Sequence, residues 1–255
     1  MTRRGRIASL TILLALIGGH VCAAPDVVVL QGATTFATTV AVPHAKQVEA
    51  ETNLSLDVIP NKSSFGLLAL LEKKADLAML STSLAYEVNF LRQSKPDLPF
   101  DRLQAFEIAR TRAAFVVHPA NPVRHASLDD IRRILTGEII NWKALGGPDL
   151  PVRVVASRQG GGVVGTVETR LLGPGHITAP DVIHVQVGTQ VVKVVAQEPG
   201  AIGITQLSIV KASGSVELAT DAPIAQVLSL VSLDAPTPQA VAIIDAMRRA
   251  VASER

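Results

Sequence analysis

Short apolar runs of strand character alternate along the chain with stretches of helical spacing. Residues 27–30 read as a strand, and a helical segment follows over about 35–51, interrupted at Pro43, which has no amide hydrogen and should kink or restart it. A second strand is expected at 56–59. Ser63 or Ser64 then caps a helix whose apolar stripe includes Leu67, Leu68 and Leu71, and Asp76 leads into a strand at 77–80.

After a polar middle the rhythm restarts. Residues 113–117 form a strand with a turn-rich exit, His118-Pro119-Ala120-Asn121-Pro122. Ser127, with Asp130 three positions on, caps a short helix over 128–135 that Gly137 ends. Gly146-Gly147-Pro148 precedes a strand at 152–156, which runs through Gly160, Gly161 and Gly162 into a helix at 163–172. A strand at 183–187, a helix over 190–197 capped by Thr189 and a strand at 201–204 after Pro199-Gly200 follow. Thr237-Pro238 opens a last helix with Ala240, Ile243, Ile244, Met247 and Val251 on one face, which is core packing. Repeated strand–helix–strand units predict an α/β fold of parallel strands that receives ligands at the strand C-terminal ends.

The first residues bear on compartment. Arg3, Arg4 and Arg6 precede an apolar segment at 7–17, too short to span a membrane comfortably, and Val21-Cys22-Ala23 supplies small residues suited to cleavage. This reads as a signal peptide over 1–23, cleaved after Ala23, and implies a periplasmic or extracytoplasmic protein. A lipoprotein acylated at Cys22 is the alternative. Without Cys22 the mature chain has no thiol, which excludes a disulfide, a thiol-ligated metal and a nucleophilic cysteine.

Removing the signal also changes the charge. Three of the 24 Lys and Arg leave with it, so 21 stand against 22 Asp and Glu. The mature protein is nearly neutral. No basic cluster interleaved with aromatics suggests nucleic acid, and no later apolar stretch is long enough for a transmembrane helix.

The glycine triplet is a candidate anion cradle, because glycine opens turns closed to other residues and the first amides of a helix lack internal partners. It has none of the Lys and Ser/Thr of a phosphate-binding P-loop, so a plain strand-to-helix turn stays open as a reading. Catalytic motifs are missing: there is no Gly-x-Ser-x-Gly and no His-Glu-x-x-His. His44, His118, His125, His176 and His184 show no metal-ligand spacing, so neither enzyme activity nor a cofactor is expected.

Five segments occur in a specific order: Gly32-Ala33-Thr34-Thr35-Phe36; Lys74-Ala75-Asp76-Leu77-Ala78-Met79-Leu80-Ser81; Val117-His118-Pro119-Ala120-Asn121-Pro122; Leu135-Thr136-Gly137-Glu138-Ile139-Ile140-Asn141-Trp142; and Gln197-Glu198-Pro199-Gly200-Ala201-Ile202-Gly203. In this the chain resembles the phosphate-type periplasmic binding proteins of ABC importers, and its shorter members most. The resemblance implies a two-lobed periplasmic-binding-protein type II fold. Each lobe is a mixed, mostly parallel sheet flanked by helices, with 26–112 plus 205–255 as lobe 1, 113–204 as lobe 2, two crossovers and a ligand cleft between them. It implies a metal-free oxyanion site of hydroxyls, an arginine and helix-start amides, an ABC permease at the inner membrane as partner, and a monomer.

Position by position, the first-loop donors fall on Thr35 and the amide of Phe36, with Thr34 beside them, and the second-loop hydroxyl on Ser63, with Ser64 beside it. Thr35 and Ser63 also stand where helix N-caps belong; the two roles are compatible. Ser81 stands where long relatives place an Asp that accepts the phosphate proton. Short relatives carry an Arg two residues beyond that serine; here it is Ser83. The third loop, Arg, two variable residues and Gly-Ser-Gly-Thr in the family, reads Ser157-Arg158-Gln159-Gly160-Gly161-Gly162-Val163. Two hydroxyls have become Gly161 and Val163, and the arginine is displaced to Arg158.

At ~1.5–3 kcal/mol per charge-assisted hydrogen bond, losing an arginine and two hydroxyls costs several orders of magnitude in affinity. Arg110 and Arg112, near the crossover, are candidate replacement cations. Two readings follow: an extracytoplasmic solute-binding protein that captures a small, phosphate-like anion for an ABC importer, or a diverged module of the same fold that takes a non-phosphate ligand or serves a sensor or assembly partner.

Overall fold

The computed structural model describes residues 26–158 and 162–253. The signal segment, Cys22, Gly160 and Gly161 lie outside the described residues.

The chain begins with β1 (Val27–Ala33), then a continuous helical segment of α1 (Thr34–Phe36), a π-helical turn (Ala37–Ala41) and α2 (Val42–Thr52). The irregularity expected at Pro43 is the π turn just before it, since a residue without an N–H disturbs the α-helical ladder upstream. Next come β2 (Ser55–Asn61), α3 (Ser63–Leu71), β3 (Leu77–Leu80), α4 (Leu84–Arg92) and the long β4 (Leu103–Val117). The middle of the chain holds β5 (His125–Ala126), α5 (Leu128–Thr136), β6 (Arg153–Ser157), α6 (Gly162–Leu171), β7 (Val182–Val185), α7 (Gly188–Val195) and β8 (Ala201–Gln206). It closes with α8 (Leu207–Ser213), β9 (Val216–Thr220), β10 (Ile224–Leu233) and α9 (Pro238–Ala252).

The main sheet runs β2-β1-β3-β10-β4-β8-β6-β7. Strands β2, β1 and β3 are mutually parallel, as are β8, β6 and β7, while β10 is antiparallel to β3 and β4, and β4 is antiparallel to β8. Two α/β halves thus meet at an antiparallel pair. Each half has an apolar layer on both faces of its strands. In the first, Phe36, Val40, Ile243 and Met247 belong to one cluster, and Leu67, Leu70 and Leu91 to another. In the second, Ile131, Ile134, Trp142 and Val167 form one layer, and Val191, Val195 and Val210 the other.

Ala113 of β4 lies opposite Ile224 of β10. Leu218 and Ile224 belong to the apolar cluster of Ile131 and Trp142, Val210 packs with α7, and β9 pairs with the last three residues of β4. Packing therefore carries the second group on to Ile224.

Local signals behave unevenly. Ser127 and Asp130 make the reciprocal cap of α5, which ends at Gly137 in the left-handed conformation. Ser63 is the first residue of its helix rather than the cap; Lys62 holds the cap position with no side-chain bond. Thr189 is likewise inside α7, where the Gln190 side-chain oxygen accepts from the amides of Gln186 and Val187. Trp142 is buried, its indole N–H donating to the Gly200 carbonyl at 2.9 Å, a structural role.

Candidate functional site

A cleft of about 440 Å³ opens between the two halves, at the C-terminal ends of β1, β3, β6 and β8. Four helical segments begin at it: those starting at Thr34, Ser63, Gly162 and Gly188. Their free amides and dipoles make the space favourable to negative charge. The first-lobe wall carries Thr34, Thr35, Thr38, Asn61, Lys62, Ser63 and Ser81; the facing wall carries Ser157, Arg158, Gly162, Val163, Gln186, Thr189 and Gln206. Lys62 and Arg158 are the only charged side chains among the described lining residues, and no carboxylate lines it. The loop positions Gln159, Gly160 and Gly161 include no acid either.

Ser63 and Ser81 are almost fully enclosed, and Ser63 Oγ accepts the Ser81 amide at 3.3 Å. The Ser81 carbonyl accepts from Gln226 Nε2 at 2.7 Å, which anchors the β3 terminus to β10. Thr35 Oγ1 receives Gln206 Nε2 at 2.7 Å across the cleft, and Thr34 Oγ1 donates to the Asn61 carbonyl at 3.0 Å. Thr34, Thr35, Ser63, Ser81, Arg158 and Gly162 are therefore brought to one space. Phe36 and Ser64 are not among its lining: Phe36 is buried in the first-lobe core, leaving only its amide for the role expected of it, and Ser64 is buried beside Ser63.

Gly162 has a second reason to be glycine. A Cβ there would lie 1.8 Å from Ser81 Oγ, so only a bare backbone lets α6 abut β3 this closely. The seam continues along the helix. A Cβ on Gly165 would lie 2.6 Å from the Tyr86 ring, and Tyr86 Oη donates to Glu168 Oε2 at 2.8 Å. Burial first, then the neighbouring Glu168 carboxyl, push the tyrosine hydroxyl far above its ordinary pKa, which keeps it a donor. Ser83 caps α4 by accepting from the Tyr86 amide at 3.2 Å.

Arg158 is exposed, and no described residue pairs with its guanidinium. Arg110 and Arg112 do not supply the replacement cation: Arg110 pairs with Glu107 at 2.7 Å and Arg112 with Glu217 at 2.8 Å, outside the cleft. Sequence reasoning missed Lys62, Asn61, Gln186 and Gln206 as lining residues. A signal for Gln206 existed, since it ends the strand expected at 201–204, where a parallel sheet receives ligands. Among the described residues, no group of His, Cys, Asp and Glu is placed to hold a metal ion, and no helix is long and apolar enough to cross a membrane.

Fold and cleft together define the class: a two-lobed domain of the periplasmic-binding-protein type. Over residues 22–253 the chain matches the PBP superfamily domain, and it belongs to that family. It is 31% identical over 116 residues to the phosphate-binding protein PstS of Bacillus subtilis, a match covering 46% of this chain and 38% of that protein's length. A phosphate ABC transporter substrate-binding protein of Clostridium perfringens, solved with bound phosphate, superposes with a TM-score of 0.73 at 21% identity over 90% of this chain and 97% of that one. An ABC-type phosphate transport receptor of Vibrio cholerae gives 0.70 at 21% identity over 90% and 96%.

Proposed function

We propose that this protein is a non-enzymatic, extracytoplasmic solute-binding protein that captures a small phosphate-like oxyanion between its lobes and presents it, as a monomer, to an ABC permease. One observation carries the reading: a cleft lined by helix starts, hydroxyls and two cations, with no carboxylate among its described lining residues. A desolvated oxyanion needs a donor at each oxygen, and this lining supplies donors from both walls. The names of its relatives point the same way. Thr34, Thr35, the Phe36 amide, Ser63, Ser81, Arg158 and the amides of 160–162 are the proposed contacts, joined by Lys62 and Gln206; Ser64 supports them from behind.

Calorimetry on the mature protein with phosphate, sulfate and molybdate tests this. Saturable binding of at least one is expected; no heat and no thermal shift with any of them overturns it. A second reading, a module for a less polar ligand, draws on Val163, Val187 and Ile209 in the lining. Binding of an uncharged organic solute with no response to oxyanions would favour it.

A further inference from the structure

Directly behind the first-lobe wall lies a carboxyl group that the cleft does not expose. Glu87, on α4, is 0% exposed, and among the described residues neither of its carboxyl oxygens has a hydrogen-bond partner. Its carboxyl lies against the Ser63 hydroxyl without completing a hydrogen bond, and within electrostatic reach of Lys62. An orphaned acid in such a place is costly, and an apolar residue would pack there at less expense.

Ser63 touches both this acid and the cleft. Its oxygen accepts the Ser81 amide, which leaves one further acceptor site and one proton. Both must be divided between Glu87 and whatever occupies the cleft. If the acid is neutral, it donates to Ser63, and Ser63 donates its own proton into the cleft. If the acid is ionised, it takes the Ser63 proton, and the free lone pair of Ser63 faces the cleft as an acceptor.

We propose that Glu87 is a specificity-determining positioning residue: through Ser63 it sets whether the cleft offers a donor or an acceptor at this point, and so whether it takes a bare or a protonated oxyanion. The proposal rests on the anion-binding reading. It ties the acceptor capacity of the site to a carboxylate, a group absent from the described lining residues, one residue behind the surface. Burial holds the Glu87 carboxyl up at about 8, against the lowering pull of Ser63 and Lys62, so both forms are accessible near neutral pH. The other charged or titratable groups around it are Lys62 at the cap of α3, Tyr86 on its own helix and, beyond the tyrosine hydroxyl, Glu168 of α6 with His176; β3 presents only Leu77–Leu80.

Sulfate is the discriminating probe, because it stays fully ionised across the working range. Titrating the mature protein with sulfate from about pH 6 to about pH 9.5 should show affinity falling roughly ten- to hundredfold as pH rises through the Glu87 transition, from the charge placed near the anion. Glu87→Gln, permanently neutral, should hold the low-pH sulfate affinity across the whole range and lose preference for protonated phosphate at high pH. Calorimetry of the unmodified protein in buffers of different ionisation enthalpy gives an independent readout: sulfate binding just above the transition should take up roughly half a proton for a tenfold fall and most of a proton for a hundredfold one. A flat wild-type sulfate profile, the same fall in Glu87→Gln, or binding without proton uptake would overturn the assignment while leaving anion capture standing. No response to any oxyanion at any pH would remove both.

Discussion

The two walls of the cleft are built on different principles. On the first lobe, Ser63 and Ser81 are enclosed, tied to each other and fastened to β10 through Gln226. On the second, the helix start offers Gly162 and the enclosed apolar Val163, and its cation is the exposed Arg158, which no described residue pairs. One wall holds short hydroxyls rigidly; the other offers backbone amides and a long side chain. Preorganised donors lose little entropy on binding, whereas Arg158 must be immobilised when it engages. We therefore propose that the first lobe sets orientation and that Arg158 on the second adds its charge to that of Lys62.

The strongest way to break this contrast is to force the walls apart. Gly162→Ala puts a methyl within 1.8 Å of Ser81 Oγ, a contact that must be relieved by moving α6 off β3. More than a hundredfold loss of oxyanion affinity is expected, together with a lower melting temperature. Calorimetry and thermal denaturation measure the two. Wild-type affinity in this variant would show that the seam does not shape the site.

The rigid wall carries its own stability cost, readable as a pH dependence. Glu87 is raised in the folded protein from 4.5 to about 8, so the native state keeps a proton that the unfolded chain releases between those values. Its contribution is therefore most favourable below about pH 4.5 and is lost as pH rises through about 8, at roughly 1.4 kcal/mol per unit. Glu87→Gln should flatten the alkaline side of the stability profile by a few kcal/mol, measured by urea unfolding between about pH 6 and about pH 9. An unchanged slope would place the carboxyl outside a buried site.

Arg158→Ala sharpens the contrast from the other side. The guanidinium is exposed and makes no bond to a described residue, so the melting temperature should hold while oxyanion affinity falls roughly tenfold to a hundredfold. An equal loss of stability would mean that Arg158 is structural.

The same contrast explains what could be read from the sequence. Local chemistry was legible: the Ser127/Asp130 cap, the α9 stripe and the strand–helix rhythm each depend on residues close along the chain. Thr35, Ser63, Ser81 and Arg158 came from the family resemblance and Gly162 from the glycine triplet, and all five line the cleft. The two strands that join the halves were only partly legible: 113–117 of β4 was expected, while its first ten residues and β10 were not. The first ten residues of β4 mix buried Ile108 with Glu107 and Arg110, and β10 buries Gln226, Ser229 and Ser232, so neither shows an apolar run.

The smallest effect is expected from restoring a hydroxyl to the sparse wall. Val163→Thr keeps the branched shape and nearly the same volume, but its hydroxyl must choose between the cleft and the apolar cluster that Val163 joins with Val164 and Val167. Turned inward, an unpaired hydroxyl costs about 1–3 kcal/mol; turned to the cleft, it gains a bond of about that size to an anion. Anion binding should therefore select the outward rotamer. The expected result is a several-fold rise in oxyanion affinity with a slightly lower melting temperature without ligand, compared by calorimetry and differential scanning. Thr35→Val on the facing wall should cost more than this gains, because it also strands the Gln206 amide that bonds Thr35 at 2.7 Å. If the gain at 163 equalled the loss at 35, the walls would be interchangeable, and the division of labour between them would be wrong.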